Sequence, residues 1–191
     1  MSKFKDAEIN LTAEQEEKFE KFCGILKEYN EKFNLTSITD DEGIYEKHFT
    51  DSLKGEEFFP LNAKVIEIGS GGGFPSVPLK IARADLSFIL LEATEKKCGY
   101  LRTVGKELGF GNFGVVCGRA EEFGKKSEYR EKFDVATARA VARLNVLCEY
   151  CLPFVKKGGY FVAYKGDAQE EIKDAEKAVE ILGGQIGGGK D

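Results

Sequence analysis

The chain has 191 residues, 42% of them apolar and 12% aromatic, enough for one domain with a real core and too few for two of ordinary size. A net charge of −5 and a pI near 5.2 argue against a protein that coats nucleic acid through bulk charge, although they leave room for a local basic face. No apolar run is long enough to span a bilayer, and the opening M-S-K-F-K-D-A-E has no apolar leader core, so a cytoplasmic location with no membrane partner is expected.

Thr12, with Gln15 three residues later, forms a capping-box signature, and Phe19, Phe22, Leu26, Tyr29 and Phe33 recur behind it at helical spacing. A long amphipathic helix running to about Asn34 is predicted, with its aromatic stripe in the core. A second helix from Asp41 to Leu53 would carry Tyr45, Phe49 and Leu53 on one face and His48, Asp51 and Ser52 on the neighbouring one. That polar trio reads first as a solvated face, yet it contains the one histidine of the chain. Residues 1–59 are therefore expected to form a helical extension packed on the remainder.

The stretch K-V-I-E-I-G-S-G-G-G-F-P-S-V-P-L from Lys64 to Leu79 reads as strand, glycine turn and helix. Such a turn lets a ligand approach the backbone, and the helix that follows aims unpaired N–H groups at it. A dinucleotide fingerprint fails, because Phe74 stands where G-x-G-x-x-G needs its third glycine, and a G-x-x-x-x-G-K-[ST] phosphate loop is absent. The remaining pattern, E-x-G-x-G-x-G from Glu67 through Gly69, Gly71 and Gly73, resembles the first motif of S-adenosylmethionine-dependent methyltransferases of the Rossmann-like class.

Beyond Pro60 strands and helices alternate. Strands are predicted at Val65 to Ile68, Leu86 to Leu91, Phe113 to Cys117, Phe133 to Ala138 and Tyr160 to Tyr164. Helices are predicted at Pro75 to Ala82, Thr94 to Leu108, Ala120 to Lys126 and Arg143 to Val155, with a last one presenting Ile172, Ala175, Val179 and Leu182. Five β/α units in series mean an α/β fold, a parallel sheet with helices on both faces, over residues 60–184. Ligands bind such sheets outside the carboxyl ends of the strands. There the second strand delivers Glu92, twenty-three residues after Gly69, where a carboxylate accepts ribose hydroxyls. The third brings Ala120 and Glu121 to flank an adenine and accept from its amine. The fourth delivers Arg139 and the fifth Lys165.

The five cysteines are scattered and odd in number, which fits reduced core thiols better than a disulfide framework. Cys148 and Cys151 form C-x-x-C, but with Leu144, Leu147 and Leu152 around them they read as the buried face of a helix, and no metal site is expected. The basic pairs at Lys96 and Lys97, Lys125 and Lys126, and Lys156 and Lys157, like Arg130 and Arg143, read singly as solvated charges.

Taken in order, N-L-T (Asn34 to Thr36), K-H-x-x-D-S (Lys47 to Ser52), E-I-G-S-G-G-G-F-P-S-V-P-L, L-E-A-T-E-K-K, G-R-A-E-E, F-D-V-A-T-A-R-A and Y-K-G look like the ribosomal small-subunit RNA guanine-N7 methyltransferase family, also known as glucose-inhibited division protein B. The resemblance runs from the first helix to Gly184. It implies a Rossmann-like class I methyltransferase core with an N-terminal helical extension, S-adenosylmethionine as donor, and a guanine of the decoding-region loop of 16S ribosomal RNA as acceptor. The substrate would be the small subunit or an assembly intermediate, and a monomer is expected. Carried over by motif, Gly69, Phe74, Glu92, Ala93, Thr94, Ala120, Glu121 and Arg139 would hold or face the donor, joined by Gly71 of the turn. His48, Asp51, Arg139 and Lys165 would face the RNA. Glu92, Ser76 and Ala138 stand where the family more often has Asp, Gly and Ser. The family continues into two further strands, whereas residues 185–191 form a glycine-rich tail from which no hairpin can be built, so either the sequence is incomplete or the sheet lacks its terminal pair and has an exposed edge strand.

Guanine N7 carries a lone pair and no proton, so methylating it needs alignment and charge control but no general base. Arg139 and Lys165 are then positioning groups. The chain has no N/D-P-P-Y/F after the fourth strand and no Pro-Cys nucleophile, which amine and pyrimidine-carbon acceptors would require. A small-molecule methyltransferase would have a closed apolar pocket in place of strand-end cations. A non-catalytic cofactor- and RNA-binding assembly module would bind both partners without turnover.

Overall fold

The structure is a computed structural model and describes residues 3–4, 9–139, 142–166 and 169–188. Five parallel strands, β1 (Lys64–Ile68), β2 (Ser87–Glu92), β3 (Phe113–Cys117), β4 (Phe133–Arg139) and β5 (Val155–Tyr164), form one sheet in the order β3-β2-β1-β4-β5. The chain works outward from β1 to β3 and then returns to the other side of β1. The switch point therefore falls between β1 and β4, where open α/β sheets hold their ligands.

Helix α1 (Ala13–Asn30) starts at the expected capping box: Thr12 accepts from the Gln15 N–H, and Gln15 bonds back to the Thr12 N–H. The Gln15 amide also donates to the Ile81 and Ala82 carbonyls at 3.2 and 2.9 Å, so one side chain caps two helix ends. The helix stops four residues short of Asn34. The Asn30 Oδ1 accepts from the N–H groups of Leu35 and Thr36 at 2.7 and 2.9 Å, folding N-L-T back across the helix end. The second predicted helix is three pieces, α2 (Asp41–Ile44), a π-helical segment (Tyr45–Thr50) and α3 (Asp51–Lys54). Its apolar face is as expected, with Tyr45, Phe49 and Leu53 buried. The wider π turn also carries Ser52 fully inside, its hydroxyl on the His48 carbonyl at 2.5 Å, so the trio is not a solvated face.

Alternation along the strands sorts the core into two sides. Val65 of β1, Phe88 and Leu90 of β2 and Val135 of β4 face the N-terminal helices, α4 (Ser76–Ala82) and α5 (Glu95–Glu107) in one cluster with Phe19, Phe22, Leu26 and Phe49. Ile66, Ile68, Leu91, Ala136 and Ala138 face the opposite way, against α7 (Leu144–Cys151). The same alternation sends Glu67 and Arg139 to the side of Val65 and Val135, under the helical extension. This decides the partners of Arg139.

The later elements depart from expectation at their ends. Helix α6 (Ala120–Phe123) is one turn, and α7 gives way to a 3-10 turn (Leu152–Phe154) at Pro153. Strand β5 begins five residues early because Val155 pairs with Phe133 ahead of the irregularity beside Asp134. On α8 (Gln169–Ile181), Ala175 and Val179 are buried against Cys148, with Leu144, Leu152 and Phe161 around them, while Ile172 and Leu182 lie off that seam and stay exposed. Cys148 and Cys151 are free thiols on the buried face of α7. Among the described residues β5 pairs only with β4, and no helix is long and apolar enough to cross a membrane.

Candidate active site

The turn from β1 into α4 is tied down on every side. Gly69 N–H donates to the Leu91 carbonyl at 2.8 Å, and the buried Tyr100 hydroxyl donates to the Gly72 carbonyl at 3.1 Å. Gly73 has φ +89°, and a Cβ there would stand 2.7 Å from Val77 Cγ2, so helix and strand can approach this closely only over glycine. Gly71 also has positive φ, but a Cβ on it would meet nothing nearer than the Gly69 carbonyl at 3.8 Å. Its open side faces away from the core. The Glu92 carboxylate, at the end of β2, accepts from the Gly71 and Thr94 N–H groups at 2.9 Å each, gathering the turn and the β2–α5 connection around one buried charge.

Beneath the turn lies a cluster of buried polar atoms. Among the described residues the fully buried Glu67 carboxylate, Ser76 Oγ and Nη1 of Arg139 make no hydrogen bond of good geometry, although Ser76 and Ser70 stand next to the carboxylate. Burial pushes the Glu67 carboxyl up to about 8, against the opposing pull of Ser76, Arg139 and Ser70. Buried groups left unsatisfied are costly, and a site that retains both an acid and a cationic donor in that state suits a ligand that brings both signs. The amino-acid end of S-adenosylmethionine, an ammonium and a carboxylate, fits that requirement, and the open face of Gly71 leaves room for its nucleoside.

The Arg139 guanidinium turns towards the extension. Its Nη2 donates to the Lys47 carbonyl at 2.5 Å and lies 3.0 Å from Oδ2 of Asp51, and its Cζ sits 5.8 Å from the centre of the Phe74 ring. His48 stacks on the same ring at 4.4 Å between centroids and 21° between planes. The His48 Nε2 is 2.7 Å from Thr36 Oγ1, and burial, followed by the charge of Arg139, lowers its pKa to about 4. The imidazole is neutral at physiological pH. Thr36 belongs to the N-L-T stretch folded back by Asn30, so the end of α1 positions the histidine.

The structure thus brings together Gly69, Gly71, Glu92, Ala93 and Thr94 on one side of the switch point and His48, Asp51 and Arg139 on the other. Ala93, Thr94 and Glu121 are exposed at the strand ends and Ala120 opens α6. Phe74 is 9% exposed, packed on Phe22 and Phe49, and lies under His48 and Arg139. Lys165 has partners within the protein. Its Nζ donates to the Ala142 carbonyl and to Glu171, both at 2.7 Å, with the side chain 17% exposed. Glu171 also accepts from the Leu144 N–H, so Lys165 fastens the start of α8 to the start of α7. Several other basic residues are likewise engaged, Arg143 with Asp174, Lys156 with Asp134 and Lys126 over Phe123. Glu67, Ser76 and Tyr100 were not expected at the site. Only the position of Glu67 two residues before the first glycine could have pointed to it.

The sequence pattern of the family described as rRNA small subunit methyltransferase G matches residues 15–186. The chain is 48% identical over 180 residues to the ribosomal RNA small subunit methyltransferase G of Brevibacillus brevis, covering 93% of this chain and 76% of the relative. It is 46% identical over 184 residues to the protein of the same name from Clostridium novyi, at 95% and 76% coverage. Among solved structures, an O-methyltransferase from Bacillus cereus in complex with SAH aligns with a TM-score of 0.59 and 18% identity, over 92% of this chain and 82% of that one. The precorrin-6y C5,15-methyltransferase of Geobacter metallireducens aligns at 0.54 and 15%, over 81% and 79%. At such identities the structural likeness speaks for the fold, a Rossmann-like methyltransferase sheet. Near-half identity across nine-tenths of the sequence goes further: this chain belongs to the rRNA small subunit methyltransferase G family and is an S-adenosylmethionine-dependent methyltransferase of small-subunit ribosomal RNA.

Proposed function

We propose that the acceptor is N7 of a guanine in 16S ribosomal RNA, presented by the small subunit or an assembly intermediate to a monomeric, cytoplasmic enzyme. The observation that carries this reading is the Arg139–Asp51 pair over the Phe74 ring. A guanine that offers N7 also offers O6 as an acceptor and its N2 amine as a donor. Arg139 can take O6 and leave N7 free, while the part-exposed carboxylate of Asp51 beside it accepts from the donor groups of the same base. An adenine has no such donor and acceptor arrangement, so the pair selects guanine by charge-assisted hydrogen bonds.

Bound S-adenosylmethionine supplies an electrophilic methyl group. Glu92 holds the ribose, Ala93 and Thr94 line the nucleoside, Ala120 and Glu121 flank the adenine, and Gly69 and Gly71 let the backbone approach. No proton has to leave N7, and the groups that face the acceptor suit that: Arg139 is a permanent cation and His48 a poor base with its pKa near 4. They orient the base and hold charge in place. Supporting this reading, His48 stacks on Phe74 beside the arginine and holds an aromatic ring at the site.

The test is single-turnover transfer of tritiated methyl to unmodified small subunits and to free 16S RNA, with nuclease digestion of the product. The expected product is 7-methylguanosine, with kcat free of any basic limb between about pH 6 and 9. A methylated exocyclic amine or ribose hydroxyl, or a titrating base in that range, would overturn the proposal.

A further inference from the structure

The ends of β2 and β3 carry a second cluster that methyl transfer leaves unused. Glu95 and Cys98 lie three residues apart at the start of α5 and so share one face of it. The sheet register sets Cys117, the last residue of β3, opposite Glu92, the last of β2, which is three residues before Glu95. A carboxylate oxygen of Glu95 and the Sγ atoms of Cys98 and Cys117 thereby come within 4.8 Å of one another. We propose that Glu95, Cys98 and Cys117 form a binding site for a thiophilic divalent cation of the zinc type, with three protein ligands and an open fourth position.

The donor set argues for the class of ion. Two sulfurs and one carboxylate suit a tetrahedral thiophilic ion, whereas magnesium and calcium demand all-oxygen shells. In a tetrahedral site with metal–sulfur bonds of about 2.3 Å the ligand atoms stand about 3.5 Å apart, so closure needs a shift of roughly an ångström. Glu95 is exposed and Cys117 part-exposed, which frees those two to move, while Cys98 is fully buried and fixed. The three groups already face one another: Cys117 is hydrogen-bonded with Glu95 and with Cys98, and outside the cluster Cys98 Sγ donates to the Glu92 carbonyl at 3.3 Å and Cys117 Sγ to the Ala93 carbonyl at 3.9 Å.

Burial raises the Cys98 thiol to about 12, and the neighbouring Glu95 carboxylate raises that of Cys117, so both are protonated before the ion enters. Binding then forms two metal–sulfur bonds and one metal–oxygen bond and releases two protons to solvent. The charges that face the cluster are Arg102, bound to Glu95 at 2.8 Å, and Glu92 on the β2 side. Protonated thiols are poor nucleophiles, which disfavours a peroxide-sensing role for the same pair. A bound ion would clamp the first turn of α5 to the end of β3. The cluster is defined without reference to the methyl donor, so the proposal stands or falls apart from the assignment of the acceptor.

Cobalt(II) is the direct probe. Titrated anaerobically into the full chain, one equivalent should produce thiolate-to-cobalt charge-transfer absorption with tetrahedral ligand-field bands, be displaced by zinc, and release two protons per ion. Cys117→Ser should weaken binding by at least about tenfold and diminish the charge-transfer band, and Glu95→Gln should weaken binding with the band retained. Both positions lie at the surface, and circular dichroism verifies that the variants fold. Cys148 and Cys151 are the competing soft ligands on the chain. Absence of thiolate charge transfer at one equivalent, or a band undiminished in Cys117→Ser, would overturn the site.

Discussion

The glycine turn and the acceptor platform meet at one switch point but draw their parts from very different distances along the chain. Glu92 reaches the turn from twenty-one residues beyond Gly71 through a single sheet register, whereas Arg139 is held by a carbonyl ninety-two residues earlier and by Asp51 on the same helical rod. The first arrangement follows from one strand–turn–helix unit and its neighbour. The second exists only once the helical extension has packed on the sheet. Damage to the platform should therefore cost more in turnover than in donor affinity, and the following substitutions test that separation.

The largest effect is expected from Arg139→Ala. Loss of the cation proposed to orient the base should lower single-turnover kcat roughly 100-fold, about 3 kcal/mol, while donor affinity measured by calorimetry falls by a smaller factor. Arg139→Lys should not rescue it, because a lysine cannot bridge Asp51 and O6 as a planar fork does. Equal losses in donor affinity and turnover would merge the two regions. Next comes Glu92→Ala, which removes the proposed ribose acceptor and the bonds to the Gly71 and Thr94 N–H groups. Donor affinity should fall roughly ten- to a hundredfold, about 1.5 to 3 kcal/mol, and unchanged calorimetry would remove Glu92 from the donor side.

Glu67 sharpens the comparison through pH. Its folded pKa of about 8 lies above the ordinary 4.5, so the folded state binds more protons than the unfolded one between those values. The stability from this group is complete below about pH 4.5, declines as pH rises, and is gone above about 8. The slope is on the order of 1 kcal/mol per pH unit. Denaturant titrations of Glu67→Gln should lack that slope between pH 5 and 8, relative to the parent, and identical slopes would show that Glu67 is ionised in the fold. The smallest effect is expected from Lys165→Ala. It breaks a part-exposed ion pair between α8 and the end of β5, which should cost about 1 kcal/mol or less and about 2–4 °C in Tm, with kcat unaltered. A kcat loss without a change in Tm would return Lys165 to the RNA side.

The same contrast explains what could be read from residues alone. The capping box at Thr12, the five strands and the Gly69–Glu92 relation are local or depend on short spacings, and the structure places them within a few residues of expectation. Arg139 was recognisable as a strand-end cation, but its union with Asp51 depends on which sheet face meets the extension, and no spacing encodes that. The partners of Lys165 were illegible for the same reason: Glu171 meets it from the following helix, a contact set by how α8 lies against α7. The π turn at Tyr45–Thr50 left no mark in the apolar spacing, because Tyr45, Phe49 and Leu53 stay inward in either kind of helix.

The most direct test of a base-free, positioned attack by guanine N7 is to remove that atom. Small-subunit RNA carrying 7-deazaguanine at the methylated position keeps O6, the N2 amine and the stacking surface, and so keeps every group that Arg139, Asp51, Phe74 and His48 would engage. The expected result is RNA binding within about threefold of the natural substrate and no methyl transfer in a single turnover. Transfer at a comparable rate to the deaza substrate would contradict the account, because the methyl would then be going to another atom.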